Sequence, residues 1–181
     1  MDNKDLQFYI KSISTIHGLP PSLVAAIVQV ESSNNIYAYR VEPHYRYLVN
    51  VLTQDPFRGL TPDEIKSEKA PIDFGYIRKV SSRDTEWWGQ QASWGPMQVM
   101  GAVARELGFR GAFPELCGPR GIEYGCKHLS NLKKRFYDKY GLAGVIAAYN
   151  AGSPRRTLTG NNLVNQYYVD KVDDNIRKLG G

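Results

Sequence analysis

Apolar residues along this chain fall mostly at helical spacing, in segments punctuated by glycine and proline. Within residues 4–17, Leu6, Ile10, Ile13 and Ile16 predict a first helix, with Gly18 as its stop. The run Leu23 to Val30 is denser: seven of its eight residues are apolar, so this helix should be enclosed on most sides and not merely amphipathic. Pro20 and Pro21 fit its first turn, and Asn34-Asn35 breaks it. Further helices are predicted over Gln98–Leu107 (stopped by Gly108), Gly121–Tyr140, Leu142–Tyr149 and Asn162–Leu179. In the Gly121–Tyr140 segment Ile122, Cys126, Leu129, Leu132 and Phe136 share one side. From Gln54 to Gly89 the chain turns polar and proline-rich. Thr61-Pro62-Asp63-Glu64 there is a capping-box pattern, so a short helix or two is expected, with too few apolar residues for a second core. No repeat and no confident strand pair is visible. The expectation is a mainly α fold with little or no β structure, one domain over 1–181 with a polar insertion at about 54–89.

Composition narrows the possible settings. Hydrophobic residues make up 42% and charged residues 23%, as in ordinary globular proteins, and no stretch approaches the roughly 20 apolar residues that span a bilayer. The opening Met1-Asp2-Asn3-Lys4-Asp5-Leu6 lacks the basic-then-apolar layout of a secretory leader. Synthesis in the cytoplasm is therefore expected, unless a leader has been removed. A formal charge of +5 favours polyanionic surroundings: nucleic acid, anionic lipid or an envelope polymer. The basic residues are scattered, with short clusters at Lys133-Lys134-Arg135 and Arg155-Arg156 and no recognisable nucleic-acid module, so a nucleic-acid role is the weakest of these. Cys117 and Cys126 do not have zinc-site spacing and His128 does not complete a metal set, so no metal and no cofactor are expected. The two thiols read as reduced, with a disulfide open to them only in an oxidising compartment.

The dense helix ends in Glu31-Ser32. A carboxyl group there loses hydration, which disfavours its charged form and raises its pKa, as a general acid requires. Three later segments supply companions. Ser93-Trp94-Gly95-Pro96-Met97-Gln98 places a glycine, permissive of close approach, beside a polarizable thioether and an amide. Ala147-Ala148-Tyr149-Asn150-Ala151-Gly152 ends an apolar helix in an aromatic ring and an amide, a combination suited to sugars. Gln166-Tyr167-Tyr168-Val169 pairs two tyrosines, one expected in the core and one exposed. Among rival carboxylates, Glu42 lies near Glu31 in sequence and could pair with Arg40 or Arg46 or act as a second catalytic group; Asp84 and Glu86 read as solvated. His17, His44 and His128 read as structural. Tyr76, Trp87 and Trp88 either flank a cleft or anchor the insertion.

Taken in order, Glu31-Ser32, Gly95-Pro96-Met97-Gln98, Ala148-Tyr149-Asn150-Ala151-Gly152 and Tyr168-Val169 resemble the soluble-type lytic transglycosylases, relatives of goose-type lysozyme. The stretches Glu42–Tyr47, Gly121–Cys126 and Ala151–Arg156 look like versions encoded by tailed bacteriophages and prophages. The resemblance implies a lysozyme-like fold and cleavage of the β-1,4 bond between N-acetylmuramic acid and N-acetylglucosamine in peptidoglycan. Glu31 would act as acid and then base while the muramoyl C6 hydroxyl closes onto C1, giving a 1,6-anhydro product. The substrate's acetamido group would stand in for a second carboxylate. Ser32, Met97, Gln98, Tyr149, Asn150 and Tyr168 match positions that line the sugar groove or orient the glutamate. Two departures stand out: Pro96 replaces a usual leucine, and the connection from Gln54 to Gly89 is long. The implied setting is phage lysis or cell-wall penetration by a monomer without stable membrane insertion, made in the host cytoplasm and acting in the periplasm or wall. The rivals are a hydrolytic muramidase, which would need Glu42 or Asp84 as a second carboxylate to position water, and a non-catalytic virion or wall-binding module.

Overall fold

The computed structural model describes residues 3–158, 160 and 162–180; Met1 and Asp2, at the head of the opening read above for a leader, lie outside them. It is 54% helix and 7% strand, a mainly α fold consistent with a lysozyme-like domain. The chain forms two compact units, Met1–Asn34 with Gly125–Gly181, and Asn35–Tyr124.

The first unit is helical. α1 (Asn3–Ile16) packs on α2 (Pro21–Ser32), and α7 (Gln166–Lys178) packs on α2 as well. Leu6 and Ile10 of α1 are buried as their spacing predicts, but the next buried position on that face is Ser14, and Ile16 is 79% exposed. Ser14 is accommodated because its hydroxyl donates to Lys11 O at 3.1 Å. α2 begins at Pro21, and Leu23 through Val28 are all buried, so the dense apolar run is enclosed as expected. Burying a leucine or isoleucine of this kind contributes roughly 1.5–3 kcal/mol. Ser33, in the left-handed conformation, caps α2 and donates its N–H to Gln29 O. α6 (Pro119–Ala151) is two helical segments meeting at Gly141, whose φ of 63° and ψ of −167° leave the helical region. Its residues to Tyr124 belong to the second unit. α7 starts at Gln166, four residues later than the periodicity predicts.

The second unit contains the β structure that the sequence did not reveal. β1 (Tyr39–Val41), β2 (Ala92–Trp94) and β3 (Val99–Met100) form an antiparallel sheet in that order, with Tyr39 opposite Trp94 and Trp94 opposite Val99. β3 occupies the start of the helix predicted from Gln98, and α5 runs only over Gly101–Glu106. The segment 54–89 also departs from expectation. α3 (Pro62–Lys66) has the predicted capping box, with Thr61 Oγ1 accepting from Glu64 N and Glu64 Oε2 accepting from Thr61 N. Arg58 then clamps Glu64 and Asp73 with one guanidinium. Yet the segment is not devoid of core: Phe74 and Trp87 are buried with Leu48 and Ala102, and Phe57, Leu60, Ala70 and Trp88 pack against them. A few large aromatic rings do here what many aliphatic residues do elsewhere.

Glu86, expected to be solvated, is fully buried on α4 (Arg83–Gln90). Its carboxylate receives a bidentate pair of 2.8 Å bonds from Arg105, which is also fully buried. Gln90 and Ser81 donate to the same carboxylate, and Arg105 reaches Phe109 O and Gly111 O at 2.9 Å. Its guanidinium lies 4.2 Å from the Phe113 ring centroid. With nearly every polar atom met, the pair is tolerable in the interior.

Candidate functional site

In the first unit, three of the expected residues converge on the end of α2. Glu31 sits in its last turn, half-buried, with the enclosed run Leu23–Val28 fixing the helix beneath it. The hydroxyl of Tyr168, in the first turn of α7, donates to Glu31 Oε1 at 2.5 Å. Burial, then the negative charge of Glu31 and this hydrogen bond, push the Tyr168 phenol far above its ordinary range. Tyr149, near the end of α6, is raised as well, by burial first and by Glu31 second. Both phenols therefore stay protonated, and that of Tyr168 faces the carboxylate as a hydrogen-bond donor. Between the paired tyrosines the structure chooses plainly: Tyr168 meets Glu31, and Tyr167 is 73% exposed with Lys171 over its ring.

Asn150 follows Tyr149 on α6 and is exposed; its Oδ1 accepts from Asn165 Nδ2 at 3.0 Å. The hydroxyl of Ser32 donates to Val28 O at 3.0 Å within α2. His128 lies against Tyr149, ring centroids 5.5 Å apart, and burial pushes its imidazole down to about 4, so it is neutral at pH 7. Cys126 is a free, buried thiol pushed up to about 12, and Cys117, in the second unit, is free and half-buried.

Met97, Gln98 and Glu42 belong to the second unit. Met97 is fully buried. Gln98 ends the loop joining β2 to β3, with a φ of 48° that its amide holds: Nε2 donates to Ala38 O and Gly95 O, and Oε1 accepts from Ser93 Oγ. Gly95 has a φ of 71°, and a Cβ there would lie 1.9 Å from Leu116 O, so both conformation and space require glycine. The close neighbour is therefore a backbone carbonyl. Pro96 sits in this loop outside the ladder, where its missing N–H interrupts no strand pairing. Glu42 pairs with Arg40 at 2.5 Å, while Arg46 turns to Pro43 O, Tyr45 O and Gln91 Oε1. Asp84 is exposed and accepts from Ala70 N.

On the sheet face opposite Ser93, the second unit has an apolar pocket of about 430 Å³ lined by Tyr39, Val41, Trp88, Trp94 and Phe113, with Asp84 among its few polar residues. Trp94 stacks between Tyr39 and Phe113 at 5.7 Å to each. Of the two adjacent tryptophans, Trp87 anchors the core and Trp88 lines this pocket, its Nε1 donating to Glu68 O. Among the described residues, no cluster of three or more His, Cys, Asp or Glu could hold a metal ion.

Sequence reasoning passed over Asn165 and Arg105. Asn165 had a local signal, an asparagine just before a helical period. Arg105 had none, because its partner Glu86 is 19 positions away.

Comparison with curated proteins and with solved structures gave no match. Comparison with protein families matched residues 8–163 to the Transglycosylase SLT domain. That span contains Glu31 and the segments through Asn150, while Asn165 and Tyr168 lie beyond it. Members of the family are lytic transglycosylases, lyases acting on peptidoglycan. Because the match spans residues 8–163, most of the chain, this protein belongs to the SLT transglycosylase family.

Proposed function

We propose that the enzyme cleaves the bond between N-acetylmuramic acid and N-acetylglucosamine with Glu31 as its only catalytic carboxyl group. The observation that carries this reading is the 2.5 Å bond from Tyr168 to Glu31 Oε1, which fixes the direction of a carboxyl group rooted on a buried helix. Protonated Glu31 gives its proton to the glycosidic oxygen as the bond from that oxygen to muramoyl C1 breaks. The acetamido carbonyl oxygen of the same sugar shares the positive charge developing at C1. The C6 hydroxyl then bonds to C1, its proton returns to Glu31, and the product is a 1,6-anhydro sugar formed without water. Hydrolysis in the manner of goose-type lysozyme would call on a second carboxylate to position water. Glu42, the first choice for that role, is engaged by Arg40.

Tyr149, Asn150 and Tyr168 form the sugar-facing set in this reading. Ser32 finishes α2, and Met97 and Gln98 hold the β2–β3 loop in shape. We treat 1–181 as one transglycosylase domain with 54–89 as an insertion in it. The charge of +5 promotes approach to the anionic envelope. The wording of the Glu42–Tyr47, Gly121–Cys126 and Ala151–Arg156 stretches favours a phage endolysin or a virion-associated enzyme, acting as a monomer and reaching the wall through lysis machinery or the particle. No helix among the described residues is long and apolar enough to cross a membrane.

Replacing Glu31 with glutamine tests the assignment. Clearing of cell-wall suspensions should fall by at least about a hundredfold, the lower end of what positioned acid–base catalysis contributes. Clearing at the parental rate would show that Glu31 is not the acid.

A further inference from the structure

Asn165 occupies the N-cap of α7, where an asparagine ordinarily accepts a bond from a backbone N–H two or three residues further on. Its side chain makes no such bond. Instead, Nδ2 donates to Ala147 O and to Asn150 Oδ1, both at 3.0 Å. Ala147 and Asn150 are three apart on α6 and so share a face, which lets one amide nitrogen reach both with its two hydrogens. The ordinary capping interaction has been given up for this tie.

The tie has a chemical consequence. A peptide carbonyl only accepts, so Ala147 O dictates that the nitrogen of Asn165 faces α6, not its oxygen. That nitrogen only donates, so Asn150 must offer it Oδ1. The NH₂ group of Asn150 is thereby turned away from Asn165, on a residue that is exposed. An unrestrained asparagine could present either end to a ligand; this one is set to present its donor.

We propose that Asn165 is a positioning residue that fixes the polarity of Asn150, so that the site meets its glycan at this point with a hydrogen-bond donor directed at an acceptor oxygen of the N-acetylated sugar. The assignment rests on the reading above that Asn150 borders the glycan. Asn165 touches no substrate in this account; it acts through Asn150 alone.

A double-mutant cycle tests this, with soluble glycan strands of defined length as substrate and thermal melts of every variant. Asn165→Ala should raise KM roughly fivefold, the cost of an ordinary hydrogen bond, while kcat stays within about twofold. In an Asn150→Ala background the same substitution should change KM by less than about twofold, because nothing is left to orient. Asn165→Asp keeps the shape but replaces the donor with an acceptor. It should raise KM more than alanine does, since Asn150 then turns its NH₂ inward and its oxygen toward the sugar. This variant also carries the test if the alanine variant fails to fold. Equal KM factors in both backgrounds, or an aspartate variant that matches the parent, would overturn the assignment and leave Asn165 a mere tie between helices. A parent protein that releases no fragments from peptidoglycan would instead overturn the functional reading, and the assignment with it.

Discussion

Tyr168 and Glu31 lie 137 positions apart, yet the phenol of one donates a 2.5 Å hydrogen bond to the carboxylate of the other. The contact joins the first turn of α7 to the last turn of α2, two helices packed on each other. Removing it as Tyr168→Phe leaves the ring in place and deletes only the donor. The expected result is a fall in kcat of about tenfold to a hundredfold with KM changed by less than about threefold, measured on soluble glycan strands. Tyr167→Phe is the control and should leave both constants as they are.

The Glu86–Arg105 pair predicts a stability effect separate from catalysis. Glu86→Ala leaves a fully buried guanidinium without its counter-charge and should cost about 3–5 kcal/mol in urea or thermal unfolding. A loss below about 1 kcal/mol would mean that the charge is reached by water.

His128 gives the protein a pH dependence with a definite sign. Its imidazole ionises at about 4 in the folded chain, against an ordinary value of 6.5. Between those values the unfolded chain binds the proton and the folded chain does not, so unfolding gains as pH falls. The stability contribution is complete above pH 6.5 and is lost on the way down to about pH 4, at up to about 1.4 kcal/mol per pH unit. Melts across that window should show the decline, and His128→Phe should flatten it. An unchanged slope in the variant would assign the dependence to other groups.

Gly95→Ala tests the β2–β3 loop. The added Cβ would fall on Leu116 O, and the residue's φ of 71° is unfavourable for alanine. Loss of at least about 2 kcal/mol is expected in denaturant unfolding. A variant as stable as the parent would show that the loop can rearrange without consequence.

What the sequence disclosed and what it hid follow from the range of the interactions involved. The helices around Glu31 were legible because apolar spacing, Pro21 and Gly18 act locally. The capping box at Thr61–Glu64 was legible for the same reason. The sheet was not, because its strands are two or three residues long and β1 pairs with β2 some fifty positions later. Glu86 was misread as solvated because its partner Arg105 is remote and a charge in an otherwise polar segment gives no sign of burial. Ile16 marks the helix but not its core, because a helix-spaced apolar residue at a helix end can pass beyond the core, while Ser14 takes the buried position by bonding its own backbone. At the site, residue types and order pointed to Glu31, Tyr149, Asn150 and Tyr168. That Tyr168 bonds Glu31 while Tyr167 stays exposed required the packing of α7, and the role of Asn165 required its hydrogen bonds.

Mass spectrometry of peptidoglycan digested by the parent protein, with Glu31→Gln as the blank, tests the central claim most directly. The account predicts muropeptides ending in 1,6-anhydro-N-acetylmuramic acid, absent from the blank. Reducing ends that have gained water, or the same anhydro products from the blank, would contradict it.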